Sequence, residues 1–241
     1  MCEFHDSASS KFKISRRDIL RTGAMAALTP LSLTGAFSAH AKTAPNAITP
    51  SAALDRLLAG NARYVANMPE QQDFSANRPN LAKAQFPIAS ILSCSDSRVV
   101  PDMAFDQDPG DLFIMRVAGN VMSENLLASL EYGVKFLGTP LVIVLGHTSC
   151  GAVSAAIDVL QNDADLPGHL PELISAIEPA VIEAKAAKTG DLLNNSIIQN
   201  VRRQVAKLKT SAPVVNQFYG DKKINIVGAV YDLKDGKVSL V

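Results

Sequence analysis

Tryptophan is absent from this 241-residue chain, histidine occurs four times, cysteine three times, and aromatic residues make up only 5%. Neither sign of charge is in excess: 23 basic residues balance 23 acidic ones, with no long run of Lys or Arg. A nucleic-acid-binding surface is therefore not expected, because phosphate binding needs clustered positive charge. Long apolar runs are missing too. The N-terminal stretch "SRRDILRTGAMAALTPLSLTGAFSAHA" is interrupted by Pro30 and several hydroxyl residues, too weak for a permanent span of about 20 apolar residues. What is present is 47% hydrophobic and 19% charged, the composition of a packed globular protein with room for one sizeable domain. There is no internal repeat and no low-complexity tract.

That first stretch carries paired arginines, Arg16 and Arg17, then a modest apolar segment, then the small-x-small pattern Ala39-His40-Ala41. It reads as a twin-arginine export signal cut after Ala41, directing the protein to the periplasm; an N-terminal anchor that is never cut is the alternative. Removing residues 1–41 takes away five of the 23 basic residues and three of the 23 acidic ones, leaving 18 against 20. Only Cys94 and Cys150 then remain. In an oxidising compartment two cysteines suggest one disulfide, unless their surroundings assign them otherwise.

Residues 42–50, "KTAPNAITP", have linker composition. A helix is expected over 51–68, with Ser51 as its N-cap and Ala53, Leu54, Leu57, Leu58 and Tyr64 at helical spacing. Residues 69–86 are polar and turn-prone. Four continuous apolar stretches, 87–93, 111–117, 140–146 and 224–233, read as strands covered on both faces. Helical patterns over 123–138, 151–162, near 171–188 and near 191–210 separate them. This alternation predicts one α/β domain over 51–241, a mostly parallel sheet of four to five strands flanked by helices, with an N-terminal helical arm. The closing "KVSLV" can add an edge strand by a hairpin through Asp235-Gly236.

Two segments carry chemistry. "SCSDSRVV" (93–100) follows the first strand; if the chain stays extended there, Cys94, Asp96 and Arg98 point to one side. "VLGHTSCGAV" (144–153) follows the third, where Gly146 lets the chain turn, His147 ends the strand and Cys150 opens the next helix. Read alone, His147 is a turn residue and Cys150 a small packing residue. Both segments nevertheless leave strands at the carboxyl end, where open α/β sheets bind ligands. Two thiolates and one imidazole suit Zn²⁺, which takes sulfur and nitrogen ligands and in catalytic sites keeps a fourth position open. Asp96 can fill that fourth place or serve a bound water, and Arg98 can hold it off the metal with a two-bond fork. The backbone N–H of Gly151 can meet an anionic product at the helix start.

"CSDSR" followed about fifty positions later by "GHTSCGAV" resembles the β class of carbonic anhydrases. The likeness continues through "LDRLLAGNARYV", "GDLFIMRVAGN", "SLEYGVKFLG" and "INIVGAVYDLKDG". It implies one zinc per subunit on Cys94, His147 and Cys150, Asp96 and Arg98 as the catalytic dyad, and Asp96 as fourth ligand in closed members. It implies reversible hydration of CO₂ to bicarbonate and a proton by a zinc-bound hydroxide. Zinc can lower the pKa of bound water from about 15.7 to near 7, a value that comes from carbonic anhydrases themselves. It further implies a substrate pocket lined by Phe113 and Gly119, and a homodimer or higher homo-oligomer with the N-terminal helix packed on the neighbouring subunit. Some bacterial members share a bicarbonate inhibition site with tryptophan three positions before the first cysteine; here that position is Ile91. His169, in "LPGHLPEL", is the one spare histidine for proton transfer. The competing readings are hydrolysis of COS or CS₂ on the same fold, a non-catalytic zinc-binding protein, and a disulfide-stapled binding module.

Overall fold

A computed structural model describes residues 46–70, 75, 77–188 and 190–241. The export signal expected over 1–41 and the first part of the linker lie outside the described residues. Helix α1 (Pro50–Val65) comes first, followed by a single turn, α2 (Arg78–Leu81), then β1 (Ala89–Ser93), α3 (Pro101–Ala104), β2 (Leu112–Arg116) and α4 (Glu124–Lys135). There follow β3 (Leu141–His147), α5 (Gly151–Asn162), α6 (Leu170–Ser175), α7 (Glu178–Ala186), α8 (Leu192–Thr210), α9 (Val215–Gly220), β4 (Asn225–Tyr231) and β5 (Val238–Leu240). Among the described residues no helix is long and apolar enough to cross a membrane.

The strands form one five-stranded sheet in the order β2-β1-β3-β4-β5, parallel throughout except for β5, which pairs antiparallel with β4. Every residue of β1 and of β3 is buried, as expected of parallel strands covered on both faces. The order reverses at β1: the chain moves outward to β2, then crosses back to β3 on the other side. The crevice between the carboxyl ends of β1 and β3 is thus the switch point of the sheet. Register sets its geometry, since Ser93 lies opposite Leu145, so Cys94 emerges level with Gly146, one residue before His147. The hairpin predicted through Asp235-Gly236 forms, with Gly236 at φ 77°, where glycine pays no Cβ penalty.

Several local expectations change. The N-cap of α1 is Thr49, whose Oγ1 accepts from the Ala52 N–H at 3.1 Å; Pro50 then takes the first turn, where its missing N–H costs nothing. The end of the expected linker is tied down, because Asn46 is buried and donates to the Leu137 carbonyl at 2.8 Å. The helix expected near 171–188 is two, α6 and α7. Pro179 cannot accept a place inside a continuous helix but fits the first turn of a new one. Helix α9 was not foreseen: "VNQFYG" is too short for a period to show.

The arm helix α1 packs on its own chain. Ala53 and Leu57 are fully buried against Ile91, Phe105 and Ile143, and Asn61 donates to the Ala104 and Gly236 carbonyls. One face of this helix is thus given to its own chain. Contact is closest at Gly60, where a Cβ would stand 1.8 Å from the Phe105 carbonyl oxygen. Because the clash is with backbone, Gly60→Ala should destabilise the protein by about 1–3 kcal/mol, the usual cost of overpacking. Gly220→Ala, where a Cβ meets nothing within 4 Å, should stay within about 1 kcal/mol of the parent. Urea unfolding of the two variants measures the contrast; equal midpoints would dissociate α1 from the core.

Candidate metal centre

The sulfurs of Cys94 and Cys150 and a ring nitrogen of His147 all lie within 4.8 Å of one another, and all three residues are buried. Both cysteines are free, which removes the disulfide reading. Cys94 is the first residue beyond β1, His147 the last of β3, and Cys150 the N-cap of α5. The turn between the last two is made by Ser149, at φ 56°, and not by Gly146. Gly146 lies inside β3, and a Cβ there would meet Val201 Cγ2 of α8 at 2.7 Å. Its role is close approach of a helix.

The donor set fits a zinc ion. His147 Nδ1 lies 2.9 Å from the Thr148 carbonyl, which can only accept, so the proton sits on Nδ1. Nε2 is left as a buried lone pair with no hydrogen-bond partner. An orphaned buried acceptor beside two thiols is costly without a ligand and well matched to a borderline-soft cation. The two thiols are hydrogen-bonded to each other. Cys94 is lowered to about 4 by the hydrogen bond from Cys150, against burial, and with help from His147 and from the Gly119 amide. Cys150 is pushed far up by that same bond and by burial, although the amides at the start of α5 oppose it. Burial alone would lower the His147 pKa, but the Cys94 thiolate beside the ring raises it overall.

Asp96 and Arg98 meet differently from the extended arrangement expected. The chain turns after β1, and Asp96 Oδ1 accepts from its own Arg98 N–H at 3.0 Å, an Asx turn. The guanidinium closes a fork, Nε to Oδ1 at 2.9 Å and Nη2 to Oδ2 at 2.7 Å. This fork holds the Asp96 carboxyl well below the usual carboxylate range, against burial. Of the two arrangements open to Asp96, the structure has the one paired with Arg98. Its Oδ2 is 3.8 Å from His147 Nε2, too long for a hydrogen bond but facing the donor set.

Gly119 belongs to this site: its N–H donates to Cys94 Sγ at 3.3 Å, and its φ is 72°. A Cβ there would meet Ile177 Cδ1 at 2.6 Å, so glycine is required twice over. Gly151 opens α5, where a Cβ would meet nothing within 4 Å, and as a first-turn residue its N–H has no partner within the helix. Phe113 is not gathered here within one chain. It pairs with Ser90, four residues or about 13 Å before Cys94 along the strand direction, and packs its ring 6.2 Å from that of Tyr132. His169 lies exposed at the start of α6, lining a cavity of about 570 Å³ with Val121, Glu124 and Glu172. Arg116, at the end of β2, escaped the sequence reading. It donates to the carbonyls of Cys94, Asp96 and Val99 at 3.0, 2.7 and 2.8 Å and so ties down the whole "CSDSR" turn. Its one signal was a cation ending an otherwise apolar strand.

Comparison with known proteins agrees with this geometry. The family described as carbonic anhydrase matches residues 89–238, from the start of β1 into β5, and so includes every donor. Carbonic anhydrase 2 of Mycobacterium tuberculosis is 37% identical over 193 residues, covering 79% of this chain and 92% of that protein. The carbonic anhydrase of Mycolicibacterium smegmatis is 36% identical over 197 residues, covering 81% and 95%. Among solved structures, the β-carbonic anhydrase CcaA superposes with a TM-score of 0.62 at 26% identity, covering 78% of this chain and 94% of that one. With the family match over residues 89–238, relatives at 36–37% identity and a solved β-carbonic anhydrase of the same fold, the chain belongs to the carbonic anhydrase family, in its β class.

Proposed function

We infer that this protein catalyses the reversible hydration of CO₂ to bicarbonate and a proton, with one zinc ion held by Cys94, His147 and Cys150. The observation that carries the reading is the orphaned His147 Nε2 facing two free thiols at the sheet's switch point. Zinc there would supply a Lewis acid that brings the pKa of water from about 15.7 toward 7, as it does in carbonic anhydrases generally.

The chain's own groups supply aim and environment. The Asp96 carboxylate, kept ionised by Arg98, can only accept hydrogen bonds. A water beside the donor set therefore points its hydrogen at Asp96 and its lone pair at the incoming carbon. Buried Val121, Val153 and Ile177 pack with the two cysteines and keep the surroundings dry, which suits small apolar CO₂. As the carbon–oxygen bond forms, charge moves onto the CO₂ oxygens, and the Gly151 N–H at the start of α5 can receive it. The water's proton leaves to solvent.

The pairing of two free thiols with an export signal also fits metal-protected cysteines in a periplasmic protein, folded before transport. The exposed rings of Phe136 and Tyr132, 71% and 48% accessible, tilt against each other, and Tyr132 against Phe113 on β2, an edge strand among the described residues. An apolar face next to an unpaired strand edge is the expected contact surface of a homodimer.

Three outcomes test these statements. The purified chain should bind one zinc, yield two thiols without reductant after chelation and denaturation, and lose zinc as pH falls, because its thiols must be deprotonated to bind; recovery of no free thiol would remove the metal reading. Asp96→Asn should retain zinc while kcat for CO₂ hydration, followed by stopped flow, drops about 100-fold or more. Unchanged turnover would take Asp96 out of the mechanism. Phe136→Glu should convert an oligomer to monomer in sedimentation velocity, and an unaltered mass would place the interface elsewhere.

A further inference from the structure

Helix α8 carries buried polar side chains where an apolar face would be expected: Asn200 and Gln204 are 1% and 6% exposed. With Lys207 they follow one another at spacings of four and three, and so share a face. All three reach one short segment of chain. Asn200 Nδ2 donates to the Gly119 carbonyl at 2.8 Å, the Met122 N–H donates to Gln204 Oε1 at 3.0 Å, and Lys207 Nζ donates to the Met122 carbonyl at 2.8 Å. The other side of the same segment touches the metal donors, because the Gly119 N–H donates to Cys94 Sγ.

Gly119 is the residue in that segment with the most backbone freedom, and it sits at positive φ. Its N–H and its carbonyl belong to adjacent peptide planes joined only by its own φ and ψ. Fixing the carbonyl from α8 therefore restricts where the N–H can point. An N–H directed at a thiolate draws charge from the sulfur and favours the ionised ligand. Groups outside the ligand shell that orient such contacts commonly change metal affinity or activity by 10–100-fold.

We propose that Asn200, supported by Gln204 and Lys207, is a positioning residue for the metal centre: it holds the Gly119 peptide so that its N–H stays on the Cys94 sulfur. This rests on Cys94, His147 and Cys150 being the zinc ligands, and it assigns to α8 a part in tuning them. The sole alternative role, satisfying a buried carbonyl, would affect stability and leave the electronic state of the sulfur alone.

The test uses the full chain loaded with ¹¹³Cd or Co²⁺ in place of zinc. In the wild type the Gly119 amide proton should show through-bond coupling to ¹¹³Cd, and Asn200→Ala should weaken or abolish it. In the cobalt protein the sulfur-to-metal charge-transfer band should move to longer wavelength in Asn200→Ala, as the sulfur regains charge. Zinc release to a chelator should become roughly 10-fold faster. Gln204→Ala, which loosens the same segment at Met122, should shift the band less at comparable loss of stability. Asn200→Asp keeps the size but offers no donor while ionised, and should behave as Asn200→Ala. Equal band shifts at positions 200 and 204, or coupling undiminished in Asn200→Ala, overturn the proposal. So does the absence of Gly119 coupling in the cadmium-loaded wild type, a measurement that needs no variant to fold. Failure of the chain to take up any of these metals would instead overturn the ligand assignment itself.

Discussion

The site depends on the parallel pairing of β1 with β3. Ser93 opposite Leu145 brings the residue after β1 to within one residue of the end of β3, so a thiol and an imidazole about fifty positions apart share a crevice. A shift of one residue would turn every side chain of a strand to the other face. Complete burial of β1 and β3 on both faces makes that register costly to lose, since it would displace Ile91, Leu92, Ile143 and Val144 from their packing together. The metal donors are therefore attached to the least deformable part of the molecule.

Much of this was legible in the sequence because it rests on patterns that survive without context. Continuous apolar stretches of strand length, separated by helical periods, gave the sheet and its parallel sense. Cys94 just beyond one strand, and His147 and Cys150 at and just beyond the end of another, gave the donors. What stayed hidden depends on contacts between distant residues. A glycine shows only that a side chain is absent: at Gly146 the cause is Val201 of a helix fifty-five positions later, while Gly119 combines a positive φ with the Ile177 side chain. The turn beyond Cys94 looked extended in the sequence, because nothing in "CSDSR" announces that Asp96 will bond its own Arg98 amide. Arg116 likewise becomes readable only once β2 lies beside β1.

The inward polar face of α8 shows the same limit from another side. Asn200 and Gln204 weaken an amphipathic pattern when judged as core positions, yet each meets a backbone group that the crossing from β2 to α4 leaves inside the protein. Buried carbonyl and amide groups need partners, and a short segment made around a left-handed glycine cannot provide its own. The helix residues that look like packing faults are the complement of that segment.

These observations divide the centre into a stiff part and a soft part. Cys94, His147 and Cys150 are fixed by strand ends, by the Thr148 carbonyl on the imidazole and by the start of α5. Asp96 is fixed mainly by Arg98, whose side chain is 56% exposed and whose bonds compete directly with water. Arg116 anchors only the backbone of that turn, leaving the carboxylate to rotate about its own side-chain bonds. Ligands that must hold a cation in one geometry gain from rigidity. In the proposed reaction, a carboxylate that accepts a hydrogen bond from arriving water and then lets an anion leave gains from a partner that yields at low cost. The sequence places two donors at strand ends and the third at the start of α5, and Asp96 in the turn between strand and helix.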